Sequence, residues 1–282
     1  MKTSNKLLIS VAVLLIVIPI VVVAVNVKLN YKEKEIEDSY LGTQNINNET
    51  FEQKSKGRKT IPIQTPFKAI QIKDAKGFNV QIFVKQDNKY GLKVPESFKN
   101  DLKFDVDANG VLQITIKNIP EDNIIEKIPI VVYCPVINLV SVAHSRIFEF
   151  SAHSDSLTIN VDQSESLFLT GDITTSDDKG KVISVINPTK IGKLYLNLNK
   201  TKFNGFTNAF NDLYVTANKS ELEIGSLDDS NQPFPFDNLN IKTSDTSSVK
   251  LQNVNVKTFI GNFSDATTLH IPTPLLKQLF KK

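Results

Sequence analysis

Apolar and polar positions alternate through most of the chain, and several stretches repeat one longer plan. LNIKTSDTSSVKL (Leu239–Leu251) and FIGNFSDATTLHI (Phe259–Ile271) open and close on alternating apolar residues, with Ser, Thr and Asp between. LTINVDQSESLFL (Leu157–Leu169) has the same form; LYLNLNKTKFNG from Leu194 and LYVTANKSELEI from Leu213 have it with a shorter middle. Aligned on this plan, a first apolar column reads Leu157, Leu194, Leu213, Leu239, Phe259. A second reads Ile159, Leu196, Val215, Ile241 and breaks at Gly261, and a late one reads Leu167, Phe203, Leu222, Val249, Leu269. Between them runs a column of small hydroxyls, Ser164, Thr201, Ser220 and Thr246, closed by Ala266.

Alternation with a period of two places one set of side chains on one face of a strand. Each unit is therefore predicted to be a strand, a tight polar corner and a second strand. One such unit cannot bury its apolar face alone, so units must stack. At a strand spacing of ~4.8 Å each column becomes an interior ladder, and corner hydroxyls can bond a neighbour's backbone. The fold class predicted is all-β: a β-solenoid, right-handed and β-helix-like, interrupted by excursions at Gly171–Lys190 and Ser226–Asp237. A β-sandwich is the alternative, because short strands with frequent turns also suit it.

Upstream the alternation continues without the repeat. Phe78, Val80, Ile82 and Val84 share one strand face; Phe104 and Val106, then Leu112, Ile114 and Ile116, flank Asn109-Gly110, a dipeptide that favours a tight hairpin. Ile128, Ile130, Val132 and Cys134 form another alternating run, stopped by Pro135, which makes Cys134 a small core residue.

The ends of the chain depart from this pattern. From Leu7 to Val25 no charge occurs, and a helix of ~20 residues at ~1.5 Å rise spans a hydrocarbon core of ~30 Å. The run is longer than the apolar region of a cleaved signal peptide, ~7–15 residues. It predicts an uncleaved single-pass transmembrane helix with the N-terminus cytoplasmic and the body exported. The polar stretch that follows reads as a solvated stalk. At the other end Pro272 and Pro274 stop the strand pattern, and Leu275, Leu276, Leu279 and Phe280 recur at helical spacing, leaving Lys277, Gln278, Lys281 and Lys282 to solvent. The organisation predicted is a cytoplasmic tail (1–6), transmembrane helix (7–27), polar stalk (28–65), β-solenoid head (66–272) and C-terminal helix (273–282) capping the last rung near Phe259, Phe263 and Leu269.

Composition narrows the partners. A formal net charge of +3 without a long basic run argues against nucleic acid, and a single cysteine excludes an intrachain disulfide framework. Candidate chemistry is sparse. His144, His153 and His270 form no HExxH pair, His144 falls in a corner, and a meeting of His144 with His153 on adjacent rungs reads as a solvated pair. DVDANG (Asp105–Gly110) begins like a calcium loop but has Ile116 where the bidentate Glu belongs. Asp177-Asp178 and Asp228-Asp229 lie in excursions, Glu165, Glu221 and Glu223 are scattered, and Asn48, Asn199, Asn218 and Asn262 head Asn-X-Ser/Thr triplets. The outward places of the units are mostly Asn, Thr, Ser and Lys. No catalytic, metal or cofactor site is assigned.

FKAIQIKDAKGFNVQIFVKQ, FDVDANGVLQITI and IPIVVYCPVINLVSVAHSRIFEF, leading into the repeats, resemble the bacterial GIN head domain, a domain of autotransporter-adhesin type. The resemblance covers roughly Phe67 to Pro272. Similar domains carry Gly-Ser corners, whereas this chain has AHSR, DQSE, NKTK, NKSE and SDTS. The resemblance implies an exported, β-solenoid-like domain without established catalysis and supplies no functional residues. The function expected is a non-catalytic interaction module held in the bacterial inner membrane and meeting an envelope protein or polysaccharide. The alternatives are a carbohydrate-active enzyme on a β-helix scaffold, or an envelope-sensing or scaffolding protein.

Overall fold

The structure, a computed structural model, describes residues 3–30, 50–55, 57–117, 127–176, 182–186, 188–206, 209–226 and 232–280. The chain divides into two units, Met1–Gly42 and Thr43–Lys282. The first holds one helix, α1 (Thr3–Asn30), with Pro19 inside it. Its described side chains from Val13 to Val23 and at Val25 are exposed, while those of 7–12, 24, 26 and 27, which belong to the expected anchor, lie outside the described set. Among the described residues no helix is long and apolar enough to cross a membrane.

The second unit is built of strands. Its first part contains β1 (Arg58–Pro62), β2 (Ala69–Ile72), β3 (Asn79–Gln86), β4 (Gly91–Pro95), β5 (Leu102–Val106), β6 (Val111–Ile116) and β7 (Lys127–Cys134). The repeats begin with β8 (Leu139–Ala143), β9 (Ile147–Ser151), β10 (His153–Asp162) and β11 (Ser166–Leu169). The excursion at 171–190 holds an antiparallel hairpin of β12 (Ile173–Ser176) and β13 (Val182–Ile186). The repeats resume with β14 (Lys190–Asn199), β15 (Lys202–Gly205), β16 (Phe210–Asn218) and β17 (Glu221–Gly225). They close with β18 (Phe234–Ser244), β19 (Ser248–Gln252), β20 (Val254–Asn262) and β21 (Thr268–His270), before a short helix α2 (Thr273–Leu279).

These strands form two large sheets. One has 10 strands in the order β1-β4-β7-β3-β9-β11-β15-β17-β19-β21, and the other has 9 in the order β20-β18-β16-β14-β10-β8-β2-β6-β5. From β8 onward the chain alternates between them. Each strand pairs in parallel with the strand one turn earlier in its own sheet, as β10 with β14 and β11 with β15. The apolar columns meet in register: Leu157 faces Leu194, then Leu213, Leu239 and Phe259. Ile159, Leu196, Val215, Ile241 and Gly261 align likewise, as do Leu167, Phe203, Leu222, Val249 and Leu269. Side chains from both sheets merge into one core, where Leu194, Phe203, Leu213, Leu222, Leu239 and Val249 are all fully buried. The antiparallel pairs of the two sheets are confined to the N-terminal part, at β1–β4, β4–β7 and β5–β6.

The corners carry a hydrogen-bond ladder. The backbone N–H of Ser145 donates to Ser164 Oγ (3.1 Å), Ser164 N–H to Thr201 Oγ1 (3.3 Å), and Thr201 N–H to Ser220 Oγ (3.1 Å). Ser220 N–H then donates to Ser247 Oγ (3.2 Å), so Ser247 and not Thr246 continues the column. The corner between Ser244 and Ser248 holds one more residue than the corner between Asn218 and Glu221. Thr246 takes up the surplus on the surface. The residue before the ladder hydroxyl is in the left-handed region at four corners, with φ of 56° at His144, 46° at Gln163, 48° at Lys200 and 47° at Lys219. That is the position a corner glycine would fill without steric cost.

Three expectations at the ends are corrected. The stalk predicted over 28–65 does not extend that far, because Arg58–Pro62 is β1 and pairs with β4. Phe51 also packs with Phe83, Val131 and Tyr133 as a second small core. Lys93 ties this segment down: fully buried, its ammonium donates to Thr50 O (2.8 Å), Gln53 O (2.7 Å) and Ser55 Oγ (2.9 Å). Residues 31–49 of that stalk lie outside the described residues. At the C-terminus α2 buries Leu275, but Phe280 is 84% exposed and Leu269 37%, so neither is covered. Gln278 is not left to solvent. Its Oε1 accepts from Phe259 N–H (3.1 Å) and its Nε2 donates to Val256 O (3.2 Å), standing in for the next strand along β20.

Candidate functional site

The alternation that sends Leu157, Ile159 and Val161 inward sends Thr158, Asn160 and Asp162 outward, and the parallel register repeats this on every turn. The outer face of the nine-stranded sheet therefore carries columns of its own. One runs Gln113, Gln71, Ser141, Asn160, Asn197, Thr216 and Lys242 across successive strands. Beside it run Ala143, Asp162, Asn199, Asn218 and Ser244, and on its other side Leu139, Thr158, Tyr195, Tyr214 and Asn240.

These polar side chains bond one another along the ladder. Asn197 Nδ2 donates to Asn160 Oδ1 (2.8 Å), and Asn160 Nδ2 to Ser141 Oγ (3.1 Å). In the next column Asn218 Nδ2 donates to Asn199 Oδ1 (2.8 Å), and Asn199 Nδ2 to Asp162 Oδ1 (2.6 Å). The Asn199 amide holds the Asp162 carboxyl below the usual carboxylate range, against the opposing effect of burial. Tyr195 and Tyr214 stack with ring centroids 4.8 Å apart and planes 13° from parallel. Where Ser141 and Ala143 are short, the face dips into a groove of about 470 Å³ walled by Gln71, Lys73, Asn160, Asp162, Asn197 and Asn199.

The outer face of the ten-stranded sheet has a different chemistry. Lys250 meets Glu223 at 2.7 Å, Lys202 meets Glu223 at 3.5 Å and Glu221 at 3.6 Å, and Lys127 meets Glu149 at 2.8 Å. Hydrogen bonding from Lys250 leads the causes that lower the Glu223 pKa. Glu165 lies 3.7 Å from Arg146. The scattered acids noted in the sequence are thus partnered by cations. A second hollow of about 740 Å³, at the start of β10 and β14, is lined by His153, Ser154, Asp155 and Lys190 among others.

The other residues singled out in the sequence are separated. His144 is a corner residue 3.4 Å from Asp74, His153 begins β10 beyond the far end of β9, and His270 lies exposed in β21. Cys134 is fully buried, and burial pushes its thiol up to about 12. Asp107 closes the hairpin, accepting from Asn109 N–H (2.9 Å), Val111 N–H (3.1 Å) and Gln113 Nε2 (3.0 Å). Gly110, at φ 71°, takes the left-handed place of a three-residue loop. Among the described residues no group of three or more His, Cys, Asp or Glu is placed to hold a metal. Asp177-Asp178, Asp228-Asp229 and Asn48 lie outside the described residues, Asn199 and Asn218 belong to the ladder, and Asn262 ends β20. The sequence signal for the tyrosine pair is that Tyr195 and Tyr214 fall in one outward column of the aligned repeats.

The fold and this face define an all-β protein with a hydrogen-bonding surface repeated at strand spacing. No family model matches the chain, and no curated protein matches it. Among solved structures it is similar to a proposed adhesin from Bacteroides fragilis, at 14% identity and TM-score 0.41, over 77% of this chain and 98% of that one. It is also similar to a proposed lipid-binding protein from Parabacteroides distasonis, at 12% identity and TM-score 0.35, over 77% and 97% of the two chains. A proposed adhesin from Parabacteroides merdae matches at 14% identity and TM-score 0.34, over 76% and 95%. A likeness of that degree carries nothing about function.

Proposed function

We propose that this chain is a non-catalytic binding module of the bacterial envelope, a β-solenoid head of the adhesin (GIN) type tethered to the inner membrane by its N-terminal helix. The observation that carries this reading is the outward column from Gln113 to Lys242, which crosses the nine-stranded sheet and borders the groove at Ser141 and Ala143. Asn160 and Asn197 are held by one another and not by the core, so their remaining capacity is spent on solvent or on a ligand. The ion-paired acids of the opposite sheet favour binding over acid–base chemistry, which needs a carboxyl poised near the working pH. The anchor is supported by the uncharged run Leu7–Val25 within a helical backbone from Thr3 to Asn30.

The test uses the purified full-length chain in detergent, co-sedimented with envelope fragments. Asn160→Arg with Asn197→Arg fills the groove wall with long cations, whereas Lys250→Glu changes the opposite sheet. The first variant is expected to lose sedimentation while melting like the parent, and the second to keep sedimentation although its ion pair with Glu223 is lost. Equal retention by the two variants overturns the assignment of the face.

A further inference from the structure

We infer that the ligand of this face is a neutral, extended β-linked oligosaccharide, its pyranose rings lying along the ladder beside Tyr195. The inference rests on the binding-module reading and specifies its ligand. Three properties of the face lead to it.

The first is the capacity left in the ladder. A side-chain amide offers two N–H donors and an oxygen with two lone pairs. Asn160 uses one donor on Ser141 Oγ and one lone pair on Asn197 Nδ2. One donor and one acceptor position therefore remain on the same short side chain. A sugar hydroxyl both donates and accepts, so a vicinal pair of hydroxyls matches such an amide. Asn197, one strand spacing of ~4.8 Å away, keeps a donor and acceptor capacity of its own, and that spacing is about the length of one hexose in an extended β-linked chain.

The second is the aromatic pair. In its column Tyr195 has Tyr214 on one side and Thr158 on the other. Stacking occupies the ring face toward Tyr214. Thr158 is too short to cover the other face, and Tyr195 remains 37% exposed. The step above Thr158 adjoins Asn160 and Asn197, two residues further along the same strands. An apolar ring face next to paired amides suits a pyranose, which is apolar above and below its ring and polar at its edge.

The third is charge. The groove walls hold one acid, Asp162, and one base, Lys73, beside uncharged amides. A strongly anionic or cationic ligand would find no matching field. A peptide strand binds by pairing with a sheet edge, and this surface is a sheet face whose backbone groups are already used.

The chain has no Trp, and two of its 6 Tyr, Tyr195 and Tyr214, stand on this face, so an emission change that disappears in Tyr195→Ala reports on it. The full-length protein, in a detergent without a sugar headgroup, is titrated with the extended β-1,4-linked cellohexaose, chitohexaose and mannohexaose by fluorescence and calorimetry. Saturable binding of at least one is expected. Tyr195→Ala is expected to weaken it by about tenfold, the loss of roughly one ring-stacking contact. Thr158→Leu fills the space against the free ring face with a side chain that offers no ring and no hydrogen bond of its own, and is expected to abolish binding, while Lys250→Ala leaves it unchanged. Binding of none of the three sugars, or binding that survives both Tyr195→Ala and Thr158→Leu, overturns the sugar assignment. Envelope retention that is lost in the Asn160→Arg, Asn197→Arg variant and also lost after protease treatment of the fragments identifies a protein ligand and overturns it too. In that case the face still binds; retention indifferent to the face variant is instead the failure of the binding-module reading.

Discussion

Replacing Ser220 by Ala removes the centre of the corner ladder with almost no change in volume. Ser220 is 3% exposed; its Oγ accepts the Thr201 N–H at 3.1 Å and donates to Asn218 O at 2.8 Å. In the variant Asn218 O keeps the backbone bond from Lys200 N–H at 2.9 Å. The Thr201 N–H loses its acceptor at a buried corner where a methyl group takes the place of oxygen. Leaving a buried donor unpaired costs ~1–3 kcal/mol, so a loss of about 2 kcal/mol is expected. For a domain of this size, ~2–4 °C of melting temperature accompany each kcal/mol, which puts the midpoint roughly 4–8 °C lower. The assay is thermal melting of the full-length chain in detergent, followed by far-ultraviolet circular dichroism. Thr246→Ala, at an exposed side chain, should stay within about 0.5 kcal/mol of the parent. Ser220→Thr should be tolerated, since Thr201 already fills the same place one turn earlier. Parent-like melting of Ser220→Ala, or an equal loss in Thr246→Ala, would refute the ladder.

Four further outcomes follow from the same geometry. Ile241→Asp places a carboxylate in the core and should unfold the domain, a cost of several kcal/mol, while outward Lys242→Asp is tolerated; equal melting of the two refutes the register. Lys200→Gly relieves a side chain at φ 48° and should raise the melting midpoint by a few degrees, a net gain of ~0.5–1 kcal/mol after the entropy of glycine; an unchanged or lower midpoint counts against corner strain. Gln278→Ala leaves Phe259 N–H and Val256 O without their partners and should lower the midpoint and promote concentration-dependent association, visible by size-exclusion chromatography; a monodisperse variant of parental stability shows that α2 caps nothing. Glu223 has a folded-state pKa below the ordinary glutamate value of 4.5, so its contribution is complete above that value and is lost as pH falls through the lower folded one. Glu223→Gln should therefore flatten the acid limb of stability against pH, and an unaltered acid limb would remove that assignment.

The interior was legible because its signal is apolar and periodic. Leu157 to Phe259 and Leu167 to Leu269 align on their spacing alone, and the register pairs the same residues. The corners were harder. A single surplus residue there shifts which hydroxyl points inward, and Thr246 and Ser247 differ in nothing a sequence displays except that shift. The N-terminal segment misled for a different reason. Its composition is polar, and what folds it is Phe51 against Tyr133 and backbone carbonyls around Lys93, partners far along the chain. Helical spacing alone places Gln278 in solvent, because it takes no account of backbone groups left open by the last turn. The candidate face was half legible. Its Asn, Ser and Thr were visible as outward places, but an amide ladder and a stacked pair of rings exist only once neighbouring turns are in register.

That dependence explains why the face rests on the core. A shift of one residue in any turn would move its apolar residues outward and its polar residues inward, at a cost in buried area on both counts. The apolar columns therefore pin each turn to its neighbours, and every outward residue inherits a partner at strand spacing as a by-product. Asn160 meets Asn197 because Ile159 meets Leu196. Tyr195 meets Tyr214 because Leu194 meets Leu213. Outward side chains can then change without disturbing the register, which leaves the face free to acquire a binding chemistry while the interior keeps the fold.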